Sequence, residues 1–211
     1  MSQSGGTAVY AVADVENRDS VSTAFRSIQD QLGFIDTMIA NAGVGDPDII
    51  DPFDASRFER IMRVNWFGLV YAIEAVLPAM LERKQGHLVA VSSLRAYRGL
   101  PGFAGYGSSK AAMKVLFEGL RVDLRPRGVR VTTVFPGFVH TAMTQNKNFA
   151  KPWIMQPDIC ARRILRAIGR GQTVDSFPWQ LALMTRIGQL MPDWVIDRMS
   201  PRDTSGKDSG L

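Results

Sequence analysis

Cysteine and histidine are scarce here: one cysteine, Cys160, and two histidines, His87 and His140, among 211 residues. One thiol excludes an internal disulfide framework and fits a reducing compartment. Cys160 itself reads as a small apolar residue on a helix. Without a His/Cys cluster the usual ligand sets for zinc or iron are missing, so no metal site is expected. No uninterrupted apolar run of about 18 residues occurs, so no membrane-spanning helix is expected. The start, MSQSGG, lacks a basic stretch followed by an apolar one, so no signal peptide is expected. These absences together suggest a soluble, cytoplasmic protein. Gly-x-Gly-x-x-Gly and Walker-type loops are missing, as is the Gly-x-Ser-x-Gly elbow of serine hydrolases.

Charge of one sign does not dominate either. Lysine and arginine number 25 against 20 acidic residues, a net charge of +5. The basic residues are scattered and do not alternate with aromatics, so no nucleic-acid partner is expected. The densest patch is Arg162, Arg163, Arg166 and Arg170, at helical spacing. It reads as a solvated helix face, with attraction to phosphates or a membrane surface as the sharper alternative.

What is present is an alternation of short apolar runs and long helical patterns, the mark of a parallel α/β sheet. The runs Ala8–Ala13, Phe34–Ala40, Leu88–Val91 and Val129–Phe135 are nearly continuous and rich in β-branched residues, as strands buried on both faces are. Helices are expected over Val21–Leu32, Ala55–Arg83 (capped by Asp54), Tyr106–Leu124 and Pro157–Ile168. Phe177–Met199 is a last apolar segment broken by Pro178 and Pro192. One domain is expected over residues 1–200, with a polar, disordered tail at 201–211.

In open α/β sheets ligands bind outside the carboxyl ends of the strands. The positions after the apolar runs are Asp14-Val15, Asn41-Ala42-Gly43, Ser92-Ser93 and Pro136-Gly137. The strongest local signal is Tyr106-Gly-Ser-Ser-Lys110 at a helix start, whose spacing of four puts both side chains on one face. An ammonium and a helix N-terminus would both pull the tyrosine pKa down toward neutrality, where a phenol can serve as acid and base. Ser93 ends a buried strand thirteen residues earlier and can hydrogen-bond the oxygen that Tyr106 protonates. Ser92 competes for that role but points to the other side of the strand.

These residues resemble the short-chain dehydrogenase/reductase family. The resemblance rests on Asp14-Val15, Asn41-Ala42-Gly43-Val44, Asn65 in Met-Arg-Val-Asn-Trp, Val91-Ser92-Ser93, Tyr106-x-x-x-Lys110 and Pro136-Gly-Phe-Val-His-Thr141. It implies hydride transfer between NAD or NADP and a small-molecule carbonyl or alcohol. It assigns Tyr106 as acid/base, Ser93 as polariser of the substrate oxygen, Lys110 as holder of the nicotinamide ribose, and Asn65 as the seat of a relay water. On the cofactor, Asp14 and Val15 would meet the adenine, and Asn41, Ala42 and Gly43 the adenosine ribose side. Pro136, Gly137, Val139 and Thr141 would face the nicotinamide, with Thr141 near the phosphate.

The sequence departs from the family at its start. The family's first strand, its Gly-rich phosphate loop and its second strand are not found, so the expectation is a Rossmann-type doubly wound parallel sheet truncated at its N-terminus. The position that separates NAD from NADP goes with them. Ala142–Gln156 would form a lid which, with Leu94, Tyr97 and Phe103, walls an apolar pocket; Met143, Phe149, Trp153, Ile154 and Met155 carry its apolar character. The resemblance also implies a homodimer or homotetramer through the two long helices. Trp179, Leu183, Ile187, Leu190 and Trp194 make the last segment amphipathic, fit to cover a core, a neighbouring subunit or a membrane surface. The alternative from another class is a catalytically silent, oligomerising module that binds cofactor poorly.

Overall fold

The computed structural model describes residues 6–45, 48, 51–145 and 151–199. In chain order the elements are α1 (Arg18–Leu32), β1 (Thr37–Ala40), α2 (Ala55–Met62), a π turn (Arg63–Phe67), α3 (Gly68–Arg83), β2 (Gly86–Val91), a 3-10 turn (Leu94–Ala96), α4 (Ala104–Leu124), β3 (Val129–Pro136), α5 (Ala142–Gln145), α6 (Pro157–Gly169), β4 (Val174–Phe177), α7 (Trp179–Leu190) and α8 (Asp193–Met199). The four strands form one parallel sheet in the order β1-β2-β3-β4, with Ala40 opposite Ala90, Ala90 opposite Thr133, and Thr133 opposite Val174.

Alternation along β2 splits the core into two layers. Leu88 and Ala90 face α3 and α4, joining Leu69, Ile73, Val76, Met80, Met113 and Phe117 in one apolar cluster. Val91 faces the other side with Val134, Cys160, Ala167 and Phe177, where α6 lies. Ala55–Arg83 is long and apolar enough to cross a membrane by length and composition. Four of its apolar residues, Leu69, Ile73, Val76 and Met80, are instead buried in the core layer over β2. α1 lies along α3, where the Arg18 guanidinium clasps the Glu74 carboxylate.

Several sequence expectations are corrected. Ala8–Ala13 is not a strand: it runs outside the sheet, with Tyr10 and Val12 both 88% exposed. A strand exists only where a neighbour satisfies its amides and carbonyls, and the residues of β1 pair with β2 alone. The fourth strand is instead Val174–Phe177 (VDSF), too short and too polar at its start to show in the pattern. The expected helix Ala55–Arg83 is interrupted by the π turn at Arg63–Phe67, an extra residue that re-aims the side chains around it. The expected tail at 201–211 lies outside the described residues.

Candidate active site

The site is built where β2 and β3 end and α4 begins. Ser93 follows β2 and caps the 3-10 turn, its hydroxyl oxygen accepting from the Arg95 amide at 3.2 Å. Ser93 and Tyr106 both line the main cavity, and the Ser93 hydroxyl favours the ionised form of the phenol. Ser92 points away, donating to the Lys110 carbonyl at 2.9 Å, so its role is to tie β2 to α4. Tyr106 and Lys110 sit one turn apart at the start of α4, the Lys110 ammonium 5.7 Å from the phenol ring centre.

Burial decides the protonation of both groups. It pushes the Tyr106 phenol above its ordinary value, against the Ser93 hydroxyl and the Arg95 guanidinium, which both pull it down. The free protein therefore holds Tyr106 as a neutral phenol at neutral pH, a proton donor. Arg95 is the charge that pulls the phenol down, and the sequence pattern did not point to it; the Lys110 ammonium lies 5.7 Å from the ring centre. The helix end does not supply positive charge freely either, because the Asp48 carboxylate accepts from the Ala104 and Gly105 amides at the start of α4. Burial lowers Lys110 to about 8. Its ammonium donates to the Val91 carbonyl at 3.0 Å, and its other two N–H donors have no partner among the described residues.

Asn65 is placed by the π turn and is buried at 1% exposure. Its Nδ2 donates to the Val44 carbonyl and the Ser109 hydroxyl, each at 2.9 Å, and its Oδ1 accepts from the Val44 amide at 2.7 Å. The side chain is thus committed to holding the Asn41–Val44 loop against α4. A water at Asn65 would have to meet its main chain rather than its amide group. Gly43 shows how tightly this loop is held: a Cβ there would stand 3.2 Å from Asn65 Oδ1 and 3.4 Å from Lys110 Nζ. Asn41 and Ala42 lead into that approach from the end of β1.

The remaining expected cofactor positions divide. Pro136 ends β3, and Gly137 donates to the Phe177 carbonyl at 2.7 Å while lining the main cavity. Val139 is bridged to Met155 through the groups of its neighbours Phe138 and His140, which leaves the Val139 amide out of that pairing. Thr141 is exposed and turns locally, its amide donating to the Thr144 hydroxyl at 3.0 Å. Val15 packs on the start of α3, where a Cβ on Gly68 would stand 3.0 Å from the Val15 Cβ. Asp14 accepts from the Glu16 amide at 3.0 Å, the geometry of a turn cap.

Above Ser93 and Tyr106 opens a cavity of about 290 Å³ with largely apolar walls. Leu94, Phe103 and Met143 line it as expected, but Tyr97 does not: it stacks on Phe135 instead. Trp153 and Ile154 are partly exposed and do not line it, Met155 packs under α6, and Phe149 lies outside the described residues. The wall missed in the sequence comes from α7 and α8, through Leu181, Met184 and Ile196. Arg98 holds these helices down, bonding the Gln189 and Met191 carbonyls at 3.3 and 3.2 Å and the Asp193 carboxylate at 2.5 Å. Arg95 and Gly45 were missed too. A Cβ on Gly45 would press to 2.8 Å from the Tyr106 ring, and no motif in the sequence announces that contact.

The sequence profile of the short chain dehydrogenase family matches residues 1–152. The chain belongs to the short-chain dehydrogenase family. Members of this family are NAD(P)-dependent oxidoreductases. An uncharacterized oxidoreductase of Myxococcus xanthus is 40% identical over 201 residues, covering 95% of this chain and 79% of that protein. Dehydrogenase/reductase SDR family member 7B of Mus musculus is 33% identical over 133 residues, covering 63% of this chain but only 41% of its own length. Among solved structures, a short-chain dehydrogenase from Burkholderia cenocepacia in complex with NADP superposes with a TM-score of 0.77 at 26% identity, covering 90% of this chain and 80% of that one. The Rossmann-type arrangement of this short-chain dehydrogenase thus has close counterparts in its family.

Proposed function

We propose that this protein transfers a hydride between NAD or NADP and an apolar carbonyl or alcohol, with Tyr106 as the general acid/base. The observation that carries the proposal is the convergence of Ser93 and Tyr106 at the floor of one apolar cavity, with a buried Lys110 beneath them. The residues fit a nicotinamide cofactor. Lys110 has two donors left for ribose hydroxyls, and Gly43 removes the side chain that would fill the approach to it. The cofactor, when bound, supplies or accepts the hydride.

The chain's own groups manage the oxygen and its proton. Ser93 donates to the substrate oxygen and holds it against the Tyr106 hydroxyl. In reduction Tyr106 gives its proton to that oxygen, and the resulting phenolate is held by Ser93 and by the Arg95 and Lys110 charges. In oxidation the same proton moves back. Leu94, Phe103, Met143 and Leu181 exclude water from the reacting centre. Association into a homodimer or homotetramer through α3 and α4 is part of the same proposal, motivated by the exposed Phe67, Val115 and Val122 on those stretches.

The test is turnover of reduced cofactor with a panel of apolar and polar carbonyl compounds, by the wild type and Tyr106→Phe. The proposal expects the apolar compounds to be preferred and the variant to lose about three orders of magnitude in kcat, the scale of acid/base catalysis. Equal rates for the two proteins would remove Tyr106 from the mechanism. Absence of turnover by a folded wild type that also fails to bind cofactor would favour the silent module.

A further inference from the structure

The catalytic rim lies at the carboxyl ends of the strands; a second cavity, of about 320 Å³, opens at their amino ends. Its wall carries three guanidinium groups from three separate places: Arg121 in the last turn of α4, Arg125 in the turn that follows, and Arg130 on β3. None of the three forms an ion pair among the described residues. Several arginines elsewhere have a carboxylate partner. Arg18 is paired with Glu74, Arg83 with Asp36, Arg98 with Asp193, Arg162 with Asp158 and Arg163 with Asp175.

A helix C-terminus attracts cations, and that accounts for Arg121 and Arg125. It does not account for Arg130, which comes from the neighbouring strand and faces the same space. Its Nη1 lies over the turn after α6, where Gly171 has a φ of +63° and a Cβ would stand 3.6 Å from that nitrogen. Gly171 and Thr173 of the same stretch line the cavity. Guanidinium groups gathered without carboxylates repel one another, and only a shared anion turns that repulsion into binding. Asp123 is the acidic residue on the same end of α4, and it does not line the cavity.

We propose that this cavity is an anion site for a small compound carrying two or more phosphate groups, distinct from the cofactor site. Its size suits a polyphosphate group rather than a whole dinucleotide, being at the low end for ligand cavities. Arg121, Arg125, Arg130 and Thr173 would supply its polar contacts. The site stands independently of the proposed oxidoreductase activity.

Calorimetric titration of the full chain with tripolyphosphate, at several fixed salt concentrations, tests this. The expected result is saturable binding at one site that weakens steadily with salt. Arg130→Gln and Arg121→Gln should each weaken it about tenfold or more, as loss of a charge-assisted contact does, while Arg162→Gln leaves it unchanged. A parallel sedimentation arm uses vesicles of phosphatidylcholine with phosphatidic acid. Tripolyphosphate binding without sedimentation assigns the site to a soluble compound, and both together to a lipid headgroup. Vesicle binding alone, unsaturable heats, or an affinity unchanged in folded Arg130→Gln would overturn the site. So would displacement of bound NADPH by tripolyphosphate, because the anion would then occupy the cofactor site.

Discussion

The rim around β2, β3 and α4 and the leading segment before α1 are two halves of one expected cofactor surface, and they are held very differently. On the rim almost every polar group answers another. Asn65 pins Val44 and Ser109, Ser92 pins Lys110, Lys110 pins Val91, and Asp48 caps α4. The leading segment is held by a turn at Asp14, by the Asp14 amide donating to the Ser20 hydroxyl at 3.0 Å and by Val15 against Gly68, while Tyr10 and Val12 stand exposed. Buried polar networks fix a geometry because breaking any member strands another. An exposed segment is fixed only by what later covers it. The proposed acid/base half of the site is therefore preorganised, and the proposed adenine side rests on fewer contacts.

Four substitutions bear on that contrast. Asn65→Ala should have the largest effect, about 3 kcal/mol of stability, since it takes the partner from both the Val44 amide and carbonyl and removes the donor to the Ser109 hydroxyl; urea denaturation reads it. A loss under about 1 kcal/mol would mean that the rim network is not what holds the Asn41–Val44 loop.

His87 comes next. Its Nε2 meets the Thr132 hydroxyl at 2.7 Å, its Nδ1 has no partner, and burial together with the Arg130 charge lowers it to about 4. Between pH 6.5 and about 4 the unfolded chain binds a proton that the folded chain refuses. Stability should thus fall as pH drops through that window, by up to about 3 kcal/mol, with no contribution above it. His87→Gln should flatten the fall in urea midpoints measured across the same range. An unaltered pH profile would place the dependence elsewhere.

On the other side of the comparison the effects should be small. Gly68→Val forces Val15 off α3 and should cost about 1 kcal/mol, with a loss of cofactor affinity seen by titration and the turnover number little changed. Asp14→Ala should do least. If Asp14 only caps its turn, stability changes by about 0.5 kcal/mol or less and cofactor affinity stays as it was. A clear drop in affinity for both NADH and NADPH would restore the adenine contact implied by the family resemblance.

The sequence made one half of this legible and hid most of the other. Leu88–Val91 and Val129–Phe135 stand out because strands buried on both faces need unbroken apolar runs, whereas Phe34–Ala40 forms the shorter edge strand Thr37–Ala40 with Ile39 exposed. Ala8–Ala13 has the same composition but no partner strand, and pairing is a tertiary fact that composition does not carry. The π turn at Arg63–Phe67 lies inside a pattern that reads as continuous helix, so the reason Asn65 faces inward was invisible. No motif marks Arg95, which the 3-10 turn after Ser93 brings to Tyr106. Spacing shows neighbours along a helix, while the burial that raises the Tyr106 phenol is set by the fold.

The most direct test is calorimetric titration of the purified chain with NADH and NADPH, for the wild type and for Lys110→Met. The account predicts saturable binding of at least one reduced cofactor by the wild type and affinity at least about tenfold weaker in the variant, since the buried ammonium is the donor proposed for the ribose. Binding that is unchanged in a folded Lys110→Met protein, or no binding by the folded wild type, would contradict it.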